Sequence, residues 1–160
     1  MTTVGFIGLG TMGRPIASHI LARLPKGDTL VINDRSAERV SQLLADGAVW
    51  ADNARELGEQ ADLVFFMVPD VPQVWAVLEG PDGLLAGAGE NNVLLVVCST
   101  VAPDAVRQLD DQVSRATDGR IRVIDAPVSG GQVGAEAGTL SIMVWPRRTG
   151  CPSDALPFVG

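Results

Sequence analysis

Three glycines in the run Val4-Gly5-Phe6-Ile7-Gly8-Leu9-Gly10-Thr11-Met12-Gly13-Arg14-Pro15 are spaced Gly-x-Gly-x-x-Gly, between a short apolar stretch and a helical one. That spacing suits a pyrophosphate. Gly8 permits a tight turn, Gly10 lets backbone come close to the phosphates, and Gly13 lets helix pack on strand. The backbone of Gly8, Leu9, Gly10, Thr11, Met12 and Gly13 then offers N–H groups to the anion at a helix N-terminus. A second chemical signal is Asp34, which ends the next apolar run 21 positions after Gly13. That is close to the spacing of a carboxylate that accepts from a ribose hydroxyl. General acids and bases are scarce: His19 is the single histidine, Lys26 the single lysine, and tyrosine is absent. Both fall in or after the first predicted helix, away from the carboxyl ends of the strands, so neither is placed for chemistry.

Glycine also closes ordinary turns, so the elements around the triplet decide its meaning. Met12, Ile16, Ala17, Ile20, Leu21 and Leu24 recur at helical spacing, and Pro15 falls in the first turn, where its missing N–H costs nothing. Residues 29–34 form a second buried strand, followed by a helix from Ser36, an expected N-cap, to Gly47, with Val40, Leu43 and Leu44 inward. Asn53 and Glu56 are spaced as a capping box ahead of a short helix. Leu63 to Val68 is apolar on both faces, as a central parallel strand covered on both sides must be. Pro69 and Asp70 end it, and a helix follows with Val74, Trp75 and Leu78 inward. Residues 80–83 are a turn by type. Val93 to Cys98 is a further buried strand ending at Ser99-Thr100. The helix from Pro103 buries Val106, Leu109 and Val113, and strands are expected at 121–125 and 139–144. The alternation predicts an α/β fold, a doubly wound and mainly parallel sheet of the dinucleotide-binding type, over residues 1–145. Residues 146–160 carry three prolines and no apolar periodicity, and are expected to be irregular.

Composition narrows the partners. A chain of 160 residues with 46% hydrophobic and 19% charged residues is that of a globular domain. A net charge of −7 and a pI near 4.5 disfavour nucleic acid and anionic membrane surfaces. Cys98 and Cys151 suggest neither a disulfide framework nor a metal site. No secretory leader is recognised and the apolar runs are strand-length, which makes the cytoplasm the expected location.

Taken in order, the glycine-rich turn, Met67-Val-Pro-Asp70, Ser99-Thr-Val-Ala-Pro103 and the run DAPVSGGQVGAEAGTL from Asp125 to Leu140 resemble the β-hydroxyacid dehydrogenases. This group includes 3-hydroxyisobutyrate dehydrogenase and tartronate semialdehyde reductase, and is related to 6-phosphogluconate dehydrogenase. The resemblance covers residues 3–144. It implies NAD or NADP as cofactor, with the turn Gly8–Gly13 on the pyrophosphate and Asp34 with Arg35 on the adenosine ribose. Val68 and Pro69 would line the ribose and nicotinamide side, and Thr100 would contact the nicotinamide end. Ser129, Gly130 and Gly131 would hold the carboxylate of a small 3-hydroxy acid or semialdehyde through a hydroxyl and backbone N–H groups, an arrangement with an anion-binding precedent in glycine turns. Each has a plainer alternative: Pro69 as a strand stop, Thr100 as a helix cap, Gly130-Gly131 as a turn. Asp34 would repel a 2′-phosphate and favours NAD. Arg35 could pair with that phosphate, which favours NADP, or stack on adenine.

After Val144 the family pattern breaks. The resemblance implies a Gly-Gly turn there, a long connecting helix and a helical second domain that supplies a catalytic lysine. This sequence continues instead with Trp-Pro-Arg-Arg. The expectation is a truncated or frameshifted product that binds dinucleotide without turning over substrate, and that associates through the face the helix would cover. Two rival readings stand beside it: a non-catalytic binding module completed by a partner, and an imine or keto-acid reductase of the same superfamily.

Overall fold

The computed structural model describes residues 1–144. Six parallel strands form one sheet in the order β3-β2-β1-β4-β5-β6. They are β1 (Thr3–Ile7), β2 (Thr29–Asn33), β3 (Val49–Trp50), β4 (Leu63–Phe66), β5 (Val93–Val97) and β6 (Ile121–Asp125). The helices are α1 (Gly13–Arg23), α2 (Ser41–Ala45), α3 (Ala54–Gly58), α4 (Val71–Leu78), α5 (Leu84–Ala88), α6 (Pro103–Ala116) and α7 (Gly131–Ala137). A two-stranded antiparallel ribbon, β7 (Val128–Ser129) with β8 (Ser141–Ile142), brackets α7.

The chain leaves β1 towards β2 and β3, then returns to place β4 on the other side of β1. The strand order therefore reverses between β1 and β4. Outside their carboxyl ends lies the crevice in which open α/β sheets bind ligands. Register is set at this seam by Phe6 opposite Phe65, whose rings stack 6.0 Å apart. One face of the sheet packs Ile7, Val64, Phe66, Leu95, Val97 and Val123 against α3 to α6. The other packs Val4, Phe6, Leu30 and Ile32 against α1 and the segment around α2. The doubly wound sheet predicted from the apolar runs is the one observed.

Boundaries differ where local pattern and tertiary contact disagree. The single helix expected from Ser36 to Gly47 is a 3-10 turn (Ala37–Val40) followed by α2, and the Ser36 side chain makes no cap bond. β4 ends at Phe66 and not at Val68, because Met67 and Val68 bend towards the turn after β1. Strand 139–144 shortens to Ser141–Ile142 and runs antiparallel to β7. Four elements were not foreseen: the two-residue strands β3 and β7, the five-residue α5, and α7, whose two glycines and small residues carry no apolar stripe. The Asn53 cap does form, with Asn53 Oδ1 accepting from Glu56 N at 2.9 Å. The reciprocal half of the box goes elsewhere, Glu56 accepting from Asp52 N at 2.7 Å. The irregular tail expected at 146–160 lies outside the described residues.

Asp110 of α6 is 1% exposed and joins that helix to β6. It accepts from Val123 N at 2.7 Å and from Arg122 Nε and Nη2 at 3.2 and 3.3 Å. Arg122 can turn to water if its partner is lost, whereas the Val123 N–H cannot. Asp110→Ala is therefore expected to lower the unfolding free energy by about 1–3 kcal/mol, the cost of one orphaned buried donor. Asp110→Asn, which keeps the acceptor, should cost less; urea denaturation of the two variants measures the difference.

Candidate dinucleotide site

The turn between β1 and α1 is shaped by contacts that exclude side chains. Gly8 adopts φ +94°, and a Cβ there would stand 2.5 Å from the Met67 carbonyl oxygen and 3.1 Å from Val68 Cγ1. A Cβ on Gly13 would collide with the carbonyl oxygen of Gly8. Gly10 is different: nothing lies within 4 Å of where its Cβ would be. Two glycines thus let chain meet chain, and the middle one leaves open space. Leu9 between them is fully buried and anchors the turn in the core under α1.

The end of α1 is built to meet an anion. Its N-cap is Met12, whose side chain has no oxygen with which to accept an N–H bond. The N–H groups of Gly10, Thr11, Met12 and Gly13 have no hydrogen-bond partner among the described residues, while Arg14 N already donates to Gly10 O at 3.1 Å. Four free donors around one turn, at the positive end of a helix dipole, suit a pyrophosphate. Each charge–dipole contact is worth roughly 0.3–2 kcal/mol, so the site depends on their acting together.

Asp34 follows β2 directly, and its Oδ2 accepts from Leu9 N at 2.6 Å. Its Oδ1 lies 3.3 Å from Ser36 N, a long contact that leaves this oxygen the more available of the two. The carboxylate is thereby fastened beside the glycine turn. Arg35 is exposed and makes no ion pair or hydrogen bond among the described residues. On the other side of the switch point, Met67 N donates to Ile7 O at 2.9 Å and Cys98 N to Phe66 O at 2.9 Å, which carries the sheet's bonding up to Val68 and Pro69. The Ser99 hydroxyl donates to the Val68 carbonyl and ties the ends of β4 and β5 together. Ser99 was not singled out from sequence. Its signal was its place at a strand end, shared with Thr100.

The plainer alternatives can be compared with these contacts. Thr100 is exposed and does not cap α6, whose N-cap is Ala102. Pro69 stands three residues beyond the end of β4, next to Asp70, which caps α4 by accepting from Gln73 N at 2.9 Å. Gly130 and Gly131 form a turn with φ +134° and +61°, both in the region that favours glycine, and α7 begins there. Ser129 and both glycines are exposed.

His19 and Lys26 sit as expected. Lys26 is exposed in the loop between α1 and β2, at the opposite edge of the sheet from the glycine turn. His19 is engaged with α7. Two other groups near the strand ends are perturbed. Burial pushes the Asp125 carboxyl above its ordinary 3.8, partly offset by the Arg107 guanidinium, and Asp125 Oδ1 is buried without a hydrogen-bond partner. Burial, together with the Asp125 charge, pushes the Cys98 thiol up to about 12, so it is an inert core residue at neutral pH. Among the described residues no group of three His, Cys, Asp or Glu side chains could hold a metal ion, and no helix is long and apolar enough to cross a membrane.

Comparison with known proteins fits this geometry. The sequence pattern of the NAD binding domain of 6-phosphogluconate dehydrogenase matches residues 3–150. The 3-hydroxyisobutyrate dehydrogenase of Pseudomonas aeruginosa is 40% identical over 144 residues, which is 90% of this chain and 46% of that one. The 2-hydroxy-3-oxopropionate reductase of Escherichia coli is 40% identical over 141 residues, 88% of this chain and 46% of that one. Among solved structures, the 3-hydroxyisobutyrate dehydrogenase of Mycobacterium tuberculosis, determined with L-serine, superposes with a TM-score of 0.72 at 32% identity, covering 90% of this chain and 46% of that one. The chain spans about half the length of the relatives it matches.

Gly10→Ala and Gly13→Ala are expected to fail in different ways. The first has room for its methyl, so it should unfold like the wild type while binding dinucleotide about tenfold more weakly, near 1.4 kcal/mol. The second forces α1 away from β1 and should lose about 1–3 kcal/mol of stability, as overpacked sites do. Calorimetric titration and denaturant unfolding separate the two.

The Asp125 shift has a definite sign. A carboxyl whose folded pKa is raised keeps its proton to higher pH than the unfolded chain does. Its stabilisation is complete below the ordinary value of 3.8 and is lost as pH rises through the raised one. Asp125→Asn should therefore gain stability relative to wild type between pH 4 and pH 7. Urea midpoints at the two pH values test this; a gap that stays constant contradicts the assignment.

Proposed function

The chain belongs to the family of the NAD binding domain of 6-phosphogluconate dehydrogenase, and on that premise we propose that it is the dinucleotide-binding part of a 3-hydroxyacid dehydrogenase. The reaction is hydride exchange between a nicotinamide and the hydroxyl-bearing carbon of a small 3-hydroxy acid, or the reverse reduction of a semialdehyde. The observation that carries this reading is the uncapped N-terminus of α1, with four unpartnered N–H groups beside a glycine whose side-chain space is open. The dinucleotide would accept the hydride when the acid is oxidised and give it when the semialdehyde is reduced. The protein supplies position, and correct placement of two reactants is itself a large part of such a rate enhancement.

In this reading the N–H groups of Gly10, Thr11, Met12 and Gly13 hold the pyrophosphate; those of Gly8 and Leu9, expected from the sequence to join them, are taken by Asn33 O and Asp34 Oδ2 and shape the turn instead. Asp34 accepts from the adenosine ribose with the lone pairs that Leu9 N leaves free, and Arg35 lies over the adenine. Val68 and Pro69 line the nicotinamide ribose, Thr100 meets the nicotinamide end, and Ser129, Gly130 and Gly131 bind the substrate carboxylate. NAD is favoured over NADP. A carboxylate held at 2.6 Å by the turn cannot swing aside for a 2′-phosphate, whereas Arg35 is exposed and has no partner among the described residues to hold it against one. A cytoplasmic setting accords with an acidic chain of two cysteines. Association through an apolar face is supported by exposed Val133, Ile142 and Met143.

Titration of the purified chain with NADH and with NADPH, followed by energy transfer from tryptophan, tests the reading. Saturable binding with NADH the stronger is expected, and Asp34→Ser should shift the preference towards NADPH by about tenfold. A cooperatively folded sample that binds neither dinucleotide overturns the proposal.

A further inference from the structure

His19 lies six residues into α1, about 9 Å along the axis from Gly13 at 1.5 Å per residue. Its ring reaches across to α7. Nε2 stands 2.9 Å from the carbonyl oxygen of Glu136, and Nδ1 stands 3.1 Å from Arg23 Nη1. A guanidinium has donors and no acceptor, so Nδ1 must accept and the proton sits on Nε2, which donates to Glu136. Arg23 Nη1 also reaches the His19 carbonyl oxygen at 3.4 Å and backs the ring from one turn further along α1. The ring meanwhile occupies the space a side chain on Gly138 would need, with three of its atoms 3.0–3.3 Å from that Cβ position. Gly138, at φ +69°, is the left-handed residue that closes α7.

Besides this contact, α7 is held by the small buried face of Gly134 and Ala135. Its seven residues include two glycines, and Val133, its one branched apolar side chain, is 79% exposed. At its start, Leu140 packs against Gly130 and Gly134, and the β7–β8 ribbon pairs two residues on each strand. A helix this short moves as a unit, so the contact at Glu136 and Gly138 joins Leu140 and Val128 in setting where Gly130 and Gly131 stand.

We propose that His19 is a positioning residue, which docks α7 on α1 and thereby holds the Ser129–Gly131 turn in register with the dinucleotide cradle at the start of the same helix. The inference rests on the reading of that turn as the carboxylate site. His19 touches neither ligand; its effect falls on the acid and spares the dinucleotide.

The test uses the full chain as wild type, His19→Ala and His19→Gln, the last of which keeps a side-chain N–H for the Glu136 carbonyl. NADH is titrated first, then 3-hydroxyisobutyrate onto the chain saturated with NAD, and backbone hydrogen exchange is followed in α7. NADH affinity should stay within about twofold in all three, while affinity for the acid falls about tenfold in His19→Ala and returns largely in His19→Gln, as expected for one hydrogen bond that orders a site. Exchange at Gly134 and Thr139 should quicken in His19→Ala and slow again in His19→Gln. Acid binding unchanged in His19→Ala, or NADH and acid affinity lost together, overturns the proposal. If the wild type binds NADH and not the acid, the carboxylate reading fails; exchange then decides separately whether His19 holds α7, and unchanged exchange in His19→Ala overturns that as well.

Discussion

The place where α1 meets β1 leaves no room for a side chain, and much of the molecule follows from that contact. Because Gly13 rests against the Gly8 carbonyl, the first turn of α1 lies at the carboxyl end of β1 and not beyond it. Because Gly8 rests against Met67 in turn, the loop after β4 is drawn in to the same point. The crevice at the reversal of strand order is thus narrow and lined by backbone. A backbone lining suits a ligand whose charge lies on phosphates, since N–H groups approach an anion more closely than most side chains can.

Polar anchors then hold the rim in one arrangement. Asp34 ties β2 to the glycine turn through Leu9 N, and Ser99 ties β5 to β4 through the Val68 carbonyl. Neither bond is large in net free energy, about 0.5–1.5 kcal/mol for a neutral pair and more for a charged one. Their value is geometric. Each joins the ends of neighbouring strands, where the ladder of sheet bonds stops and the loops would otherwise wander. Asp34 thus orders the turn, and it is the same carboxylate that the proposed reading sets against the ribose.

The other half of the proposed site is organised more loosely. The ribbon of β7 and β8 is a separate two-stranded sheet whose Val128 packs against the cluster of Val96, Cys98 and Ile124 in the main one, and the short α7 meets α1 at His19. The glycine turn after β1 is rooted in the core by the buried Leu9, while the Ser129–Gly131 turn is exposed.

Sequence alone determined the elements whose reason is local. The glycine spacing, the double-sided apolar runs of β4 and β5, the stripe of Val106, Leu109 and Val113 on α6, and Asn53 as a cap are each legible within a few residues, because periodicity and turn chemistry act over that range. What the tertiary structure decided are contacts between residues far apart in the chain: Leu9 with Asp34, Ser99 with Val68, His19 with Glu136. A type such as histidine in mid-helix carries no mark of the carbonyl it will meet 117 residues later. Likewise Asp110 and Asp111 are neighbours of one type, yet the first is buried on β6 and the second exposed, since only the packing of α6 selects between them. The short elements β3, α5 and α7 belong to the same group: they are too brief to show a period, and they exist because their neighbours hold them.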